Sequence, residues 1–216
     1  MIESEVSQLS LVFVGNFNPS IIHPSWLVQK ELIKESEGES AETKIVHERI
    51  SKFSLKMTNF EVTENRFQIK TSDESFFDPA RDLMASIFKI LNETPVSALG
   101  INHIFHYEVN EEKYLEVGKK LVPFDNWKDI LERPRVMGLE LQDRKRDDDY
   151  DGYIRFKVTP SDLLDLGISL NINDHFNRQG DNTNTEDFVN LLIDNWDHSL
   201  EKAKQMVNNF WNNLND

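Results

Sequence analysis

The sequence predicts an α+β fold, an antiparallel sheet carrying two principal amphipathic helices, the longer at the C-terminus. Three observations carry that expectation. Strand-like runs follow one another and are broken by single helices, an order that favours antiparallel sheet over alternating βαβ units. After Asp78-Pro79, the residues Leu83, Met84, Ile87, Phe88 and Leu91 recur at helical spacing. Toward the C-terminus Val189, Ile193, Trp196, Leu200, Ala203, Val207, Phe210 and Leu214 alternate steps of four and three.

Taken in order, Leu9–Phe17 (LSLVFVGNF) is apolar almost throughout and reads as a buried strand. Pro24 suits the first position of a helix reaching about Lys34. Glu35–Thr43 (ESEGESAET) is polar and acidic and reads as a loop. Several strands lie between Lys44 and Thr71, with Asn59 and Asn65 as turn positions. Asp78 and Pro79 mark a helix start as N-cap and first residue, and Pro95 closes that helix. The run VSALGINHIFHYEV is a long strand, followed by short helices over 111–122 and 126–132. Strands are expected over 135–142, 153–158 and 166–172. Thr183 with Glu186 three residues on has the capping-box pattern for the last helix.

That helix admits two readings. An unbroken four-three spacing suits a coiled-coil seam, which would make Ile193, Trp196, Leu200, Val207 and Trp211 an interface with a protein partner or a second copy. Leu192, Met206 and Trp211 widen the stripe, as expected of a helix lying across its own sheet. The 216 residues are expected to form a single compact domain, with two structural halves, 1–110 and 111–216, as a finer division.

Composition excludes more than it identifies. The 14 Phe and 4 Trp supply core material, so disorder is not the reading. The chain contains no Cys, which removes disulfides, thiolate zinc sites and cysteine nucleophiles. The acidic opening MIESEVSQLS is unlike a signal peptide, and the longest apolar runs fall far short of the roughly 20 residues of a membrane span. A cytoplasmic protein without a membrane partner is expected. A formal net charge of −14 argues against direct binding of a nucleic-acid backbone. The one basic run, Arg144-Lys145-Arg146, is flanked by aspartates and largely cancels.

The stretch DDDYDGYI, residues 147–154, matches the first eight positions of a calcium loop. The twelfth position, where that loop needs a bidentate Glu, is Val158, and both flanks have strand character. Asp151-Gly152 beside alternating residues signals a β-hairpin, and that reading prevails. His103 and His106 mimic a metal pair, but residues three apart in a strand point to opposite faces. No metal or cofactor is expected, and no catalytic residue is assigned, because nucleophile-elbow, phosphate-loop, dinucleotide and zinc-protease motifs are all missing from the sequence. Asn102, His103, Asn173, Asp174 and His175 would line a polar ligand pocket if their two strands were neighbours.

Three segments together resemble a sporadically distributed family of bacterial proteins. They are Asn-Pro-x-Ile-x-x-Pro-x-Trp at Asn18–Trp26, Leu-Gly-Ile-Asn at Leu99–Asn102, and Asn-Asp-His-aromatic at Asn173–Phe176. The resemblance implies a bacterial or phage-linked origin and an α+β fold, and it implies no activity.

The expected function is a non-enzymatic protein-interaction module, an accessory or adaptor subunit of a bacterial assembly, with phage defence as one setting. The alternative is an enzyme or small-ligand binder built on the polar pocket. A second alternative is an acidic mimic of nucleic acid.

Overall fold

The computed structural model describes residues 3–143, 146, 148–178 and 184–215. Among these, nine strands form one sheet: β1 (Val6–Gly15), β2 (Glu42–His47), β3 (Ile50–Leu55), β4 (Thr58–Thr63), β5 (Arg66–Thr71), β6 (Val96–Glu108), β7 (Leu139–Asp143), β8 (Gly152–Pro160) and β9 (Gly167–Asn177). Their spatial order is β2-β3-β4-β5-β1-β6-β9-β8-β7, and every pairing is antiparallel. The helices are α1 (Pro24–Gln29), α2 (Glu35–Glu39), α3 (Phe77–Ile90), α4 (Glu111–Leu121), α5 (Thr185–Asp194) and α6 (Trp196–Asn215). The chain is therefore α+β with an antiparallel sheet, and its longest helix is C-terminal.

The two halves follow one path. In the first, β1 is laid down, outer strands follow, β5 returns beside β1, and α3 crosses the sheet. In the second, β6, β8 and β9 repeat that route and α5 with α6 take the helix position. First strands β1 and β6 pair antiparallel at the centre, so the repeat divides at residues 91–95, between α3 and β6.

Strand alternation sorts side chains into two faces. Leu9, Leu11, Phe13, Phe67, Ile69, Leu99, Ile101 and Phe176 point to the helix side and are buried with Met84, Ile87 and Phe88 of α3 and Phe188 and Leu192 of α5. Phe88 anchors this cluster, its ring 4.7 Å from Phe13 and 5.0 Å from Phe67, both edge-on. Each such buried Phe contributes roughly 1.5–3 kcal/mol. A second cluster seats Ala203, Val207 and Trp211 of α6 on Tyr107, Leu170 and Ile172, together with Tyr114 and Val117 of α4. Among the described residues, no helix packs on the opposite face.

Several elements depart from expectation for identifiable reasons. The helix from Pro24 ends at Gln29, because Glu31 takes φ 56° and the Leu32 N–H bonds back to the Leu27 carbonyl, a Schellman stop. The acidic segment expected as a loop forms α2, started by Glu37 accepting the Lys34 N–H at 3.0 Å and held by Lys56 at 3.3 Å. Asn59 lies inside β4, and the preceding turn is made by Lys56 at φ 46°. Phe76, not Asp78, occupies the N-cap of α3, and Asp78 instead accepts the Trp196 indole N–H at 2.7 Å. The expected helix at 126–132 is a 3-10 turn at Phe124–Trp127.

At the last helix, Thr183 of the expected capping box lies outside the described residues. The reciprocal cap is made one residue on, by Asn184 and Asp187 at 3.0 and 2.8 Å. The C-terminal helix is also not continuous, since Asn195 interrupts it between α5 and α6.

Candidate functional site

The interface residues read from the C-terminal helix are divided by their placement. Trp196, Val207 and Trp211 are each 3% exposed and pack on the chain's own sheet. Leu200 is half-buried, and Ile193 alone is well exposed, at 41%. The four-three spacing thus serves the chain's own core at these positions.

The acidic stretch forms the connection of a β7–β8 hairpin, with Asp143 opposite Ile154. Asp147, Arg144 and Lys145 lie outside the described residues. Arg146 is buried, and its guanidinium donates to both oxygens of Asp148 at 2.7 and 2.5 Å, to Asp174 Oδ1 at 2.6 Å and to the His175 carbonyl at 3.0 Å. It also lies over the Phe176 ring, 4.0 Å from the centroid. Asp148 is therefore committed to a cation of its own chain, and its carboxyl is held below the ordinary range chiefly by that bond. Gly152 permits the hairpin to close on β9: its φ is 151°, and a Cβ there would stand 2.0 Å from the His175 carbonyl oxygen.

The strands carrying the polar candidates are neighbours. In the β6–β9 pairing, Asn102 faces Asn173, Gly100 faces His175, Ile101 faces Asp174 and His103 faces Ile172. Asp174 and His175 sit within β9, which continues to Asn177 rather than ending at Ile172. Alternation then splits the five residues. Asn102, Asn173 and His175 project onto the helix-free face, whereas His103 and Asp174 project into the helix-covered interior.

His103 is 1% exposed, and its Nε2 lies 3.3 Å from the Ser199 hydroxyl on α6. Burial, with Lys204 as a lesser cause, pushes its pKa down to about 4. Serine, histidine and aspartate do share this interior side, but Ser199 of α6, His103 and Asp174 are each at most 3% exposed, and Asp174 is ion-paired with Arg146. His106 is equally buried on the other face, held between Ser161 Oγ at 2.8 Å and Gln8 Oε1 at 3.3 Å.

On the helix-free face one register row is polar from Lys70 through Ser10, Asn102 and Asn173 to Arg155 and Gln142. Gln68 donates to Ser10 Oγ at 2.5 Å, Asn102 to the Ser10 carbonyl at 2.9 Å and Asn173 to Asn102 Oδ1 at 2.5 Å. Beside it Tyr153 stacks on His175, centroids 4.3 Å apart, and Arg155 lies over the same tyrosine ring at 4.7 Å. Burial lowers the His175 pKa, which favours the neutral imidazole.

A second surface had no clear signal in the sequence. Trp127, Ile130, Leu131, Met137 and Leu141 fall within fifteen residues and are between 43% and 69% exposed. Leu141 lies in β7, whose outer edge pairs with no described strand, and the other four precede that strand in the chain. A groove of about 490 Å³ takes in Leu131 of these, with Leu115, Phe124 and Pro134 among charged residues. Interspersed Lys, Asp, Glu and Arg hide this cluster from any periodicity test.

No protein-family model matches the chain, and no curated protein is similar to it in sequence. No described helix is long and apolar enough to cross a membrane.

Proposed function

We propose that the chain is a non-enzymatic protein-interaction module, an accessory subunit of a bacterial assembly, and that it engages its partner at the β7 edge. The exposed apolar cluster between Trp127 and Leu141 carries this reading. Large apolar side chains left exposed at this density along a chain are uncommon on monomers, and where they meet in one patch they mark protein contacts. Leu141 sits on the helix-side face of β7, opposite Phe156, so the core face of the sheet runs past its last strand. The occupant that fits is an extended partner segment adding a strand to β7, its alternate apolar side chains covering Leu141 and Met137.

The test is binding of the purified, identified partner to Met137→Glu and Leu141→Glu, with Ile193→Glu on α5 as comparison. Both β7-side variants are expected to weaken the complex at least tenfold with the fold retained, and Ile193→Glu to leave it unchanged. The opposite pattern would move the interface to the C-terminal helix and sink the β7 reading. The small-ligand alternative has its own support in the facing pair Asn102 and Asn173.

A further inference from the structure

Gly100 sits near the middle of the 13-residue strand β6. Its φ lies outside the left-handed region, so the backbone does not require glycine there. Glycine inside a strand forfeits packing and marks a place where another group comes close. A Cβ at this position would lie 3.2 Å from Asn173 Nδ2, 3.5 Å from Asn102 Nδ2 and 3.9 Å from His175 Nδ1. Three side-chain nitrogens thus rim one dent on the helix-free face.

Their hydrogen-bonding capacity follows from their partners. The Ser10 carbonyl can only accept, so Asn102 turns Nδ2 toward it and Oδ1 toward Asn173. Each amide nitrogen keeps a second hydrogen beyond the bond it makes. His175 Nε2 lies 3.1 Å from Asn177 Oδ1 and donates to it, which leaves the lone pair of the neutral ring on Nδ1. The dent therefore offers amide N–H donors beside one imidazole acceptor. A carboxylate would meet that lone pair unfavourably, whereas a carbonyl oxygen next to an N–H satisfies both.

We propose that the dent over Gly100 binds a small planar molecule through a lactam edge, of the kind a nucleobase carries. The carbonyl accepts from Asn102 and Asn173, and the adjacent N–H donates to His175 Nδ1. Val12, paired with Gly100 on β1, supplies an apolar wall. This site is separate from the β7 edge and does not depend on it.

The experiment titrates 1-methyluracil and 1,3-dimethyluracil, which differ by one methyl on the lactam nitrogen, into the full chain. Side-chain amide resonances of Asn102 and Asn173 and the imidazole resonances of His175 are followed by NMR. Saturable shifts are expected with 1-methyluracil, and at least tenfold weaker binding with the dimethyl compound. Gly100→Ala fills the dent and should weaken 1-methyluracil at least tenfold. His175→Phe keeps a ring against Tyr153 but removes the acceptor and should do the same, which covers the case of Gly100→Ala failing to fold. Absence of saturable shifts, equal binding of the two compounds, or wild-type binding by a folded variant overturns the proposal.

Discussion

Asn173 donates to Asn102 across the β6–β9 pairing at 2.5 Å, while their chain neighbours Asp174 and His103 point through the sheet to the other side. One step along each strand separates a solvent-side amide bridge from a buried ion pair and a buried imidazole. The period-two geometry of strands therefore divides one cluster of candidates into two jobs. The amides and His175 lie half-buried on the helix-free face, and His103 and Asp174 belong to the interior.

Arg146 ties the β7–β8 connection to the core, and its removal is expected to be costly. Its side chain is 2% exposed and serves Asp148 and Asp174 together. Arg146→Ala leaves Asp174 buried without its cation, a loss of about 3–5 kcal/mol. Arg146→Lys should recover only part of it, because an ammonium cannot fork across Asp148. Urea unfolding at pH 7 measures both. A change in Arg146→Ala no larger than for an exposed surface arginine would mean that the ion pairs do not stabilise the fold. The Asp148 carboxyl, whose folded pKa is depressed mainly by Arg146, adds stability above its unfolded pKa that is lost as pH falls through the folded value.

His103 predicts a second acid-sensitive limb in a different window. Its pKa falls from 6.5 to about 4 on folding, because burial under α6 disfavours the charged ring and Lys204 adds a smaller repulsion. Between those values the unfolded chain binds a proton that the folded chain does not, so stability falls as pH drops from 6.5 toward 4. At about 1.4 kcal/mol per pH unit the loss is roughly 3 kcal/mol, levelling off below the folded value. His106 and His175 shift in the same direction by burial, so His103→Leu should reduce the slope without abolishing it. Unfolding free energies at pH 4.5 and 7.5 for both proteins test this. Parallel curves would show that His103 does not titrate as its burial demands.

The sequence reveals the α+β class, the long central strand and the amphipathic helices because alternation and helical spacing are local patterns. What it hides are relations across distance. The buried partner of Arg146 lies 28 residues away in Asp174, so the basic run reads only as charge cancelled by its flanking aspartates, of which Asp148 is its second partner. β9 extends through Asn173 and His175, whose polarity belongs to the outer face of a strand but reads like the end of one. α2 has no apolar stripe, and a backbone cap and Lys56 hold it instead. The doubled topology leaves no residue repeat, because each half needs only the same alternation and not the same side chains.

Two glycines on β6 and β8, the strands that flank β9, should respond differently to alanine. Gly100 has ordinary backbone, and its added Cβ meets side chains alone, the hydrogen-bonded Asn173 amide nearest at 3.2 Å. Alanine restricts the unfolded chain there while the Asn173 amide must shift by a few tenths of an ångström, so Gly100→Ala should change stability by less than about 1 kcal/mol. Gly152 has φ 151°, and its Cβ would stand 2.0 Å from the backbone oxygen of His175. Relief requires β8 to leave β9 at its first residue, so Gly152→Ala should cost about 3 kcal/mol or more. Hydrogen exchange should show that opening at Tyr153 and Ile154 before the rest of β8. Equal effects of the two substitutions would contradict the geometry that assigns Gly152 to the backbone and Gly100 to the dent.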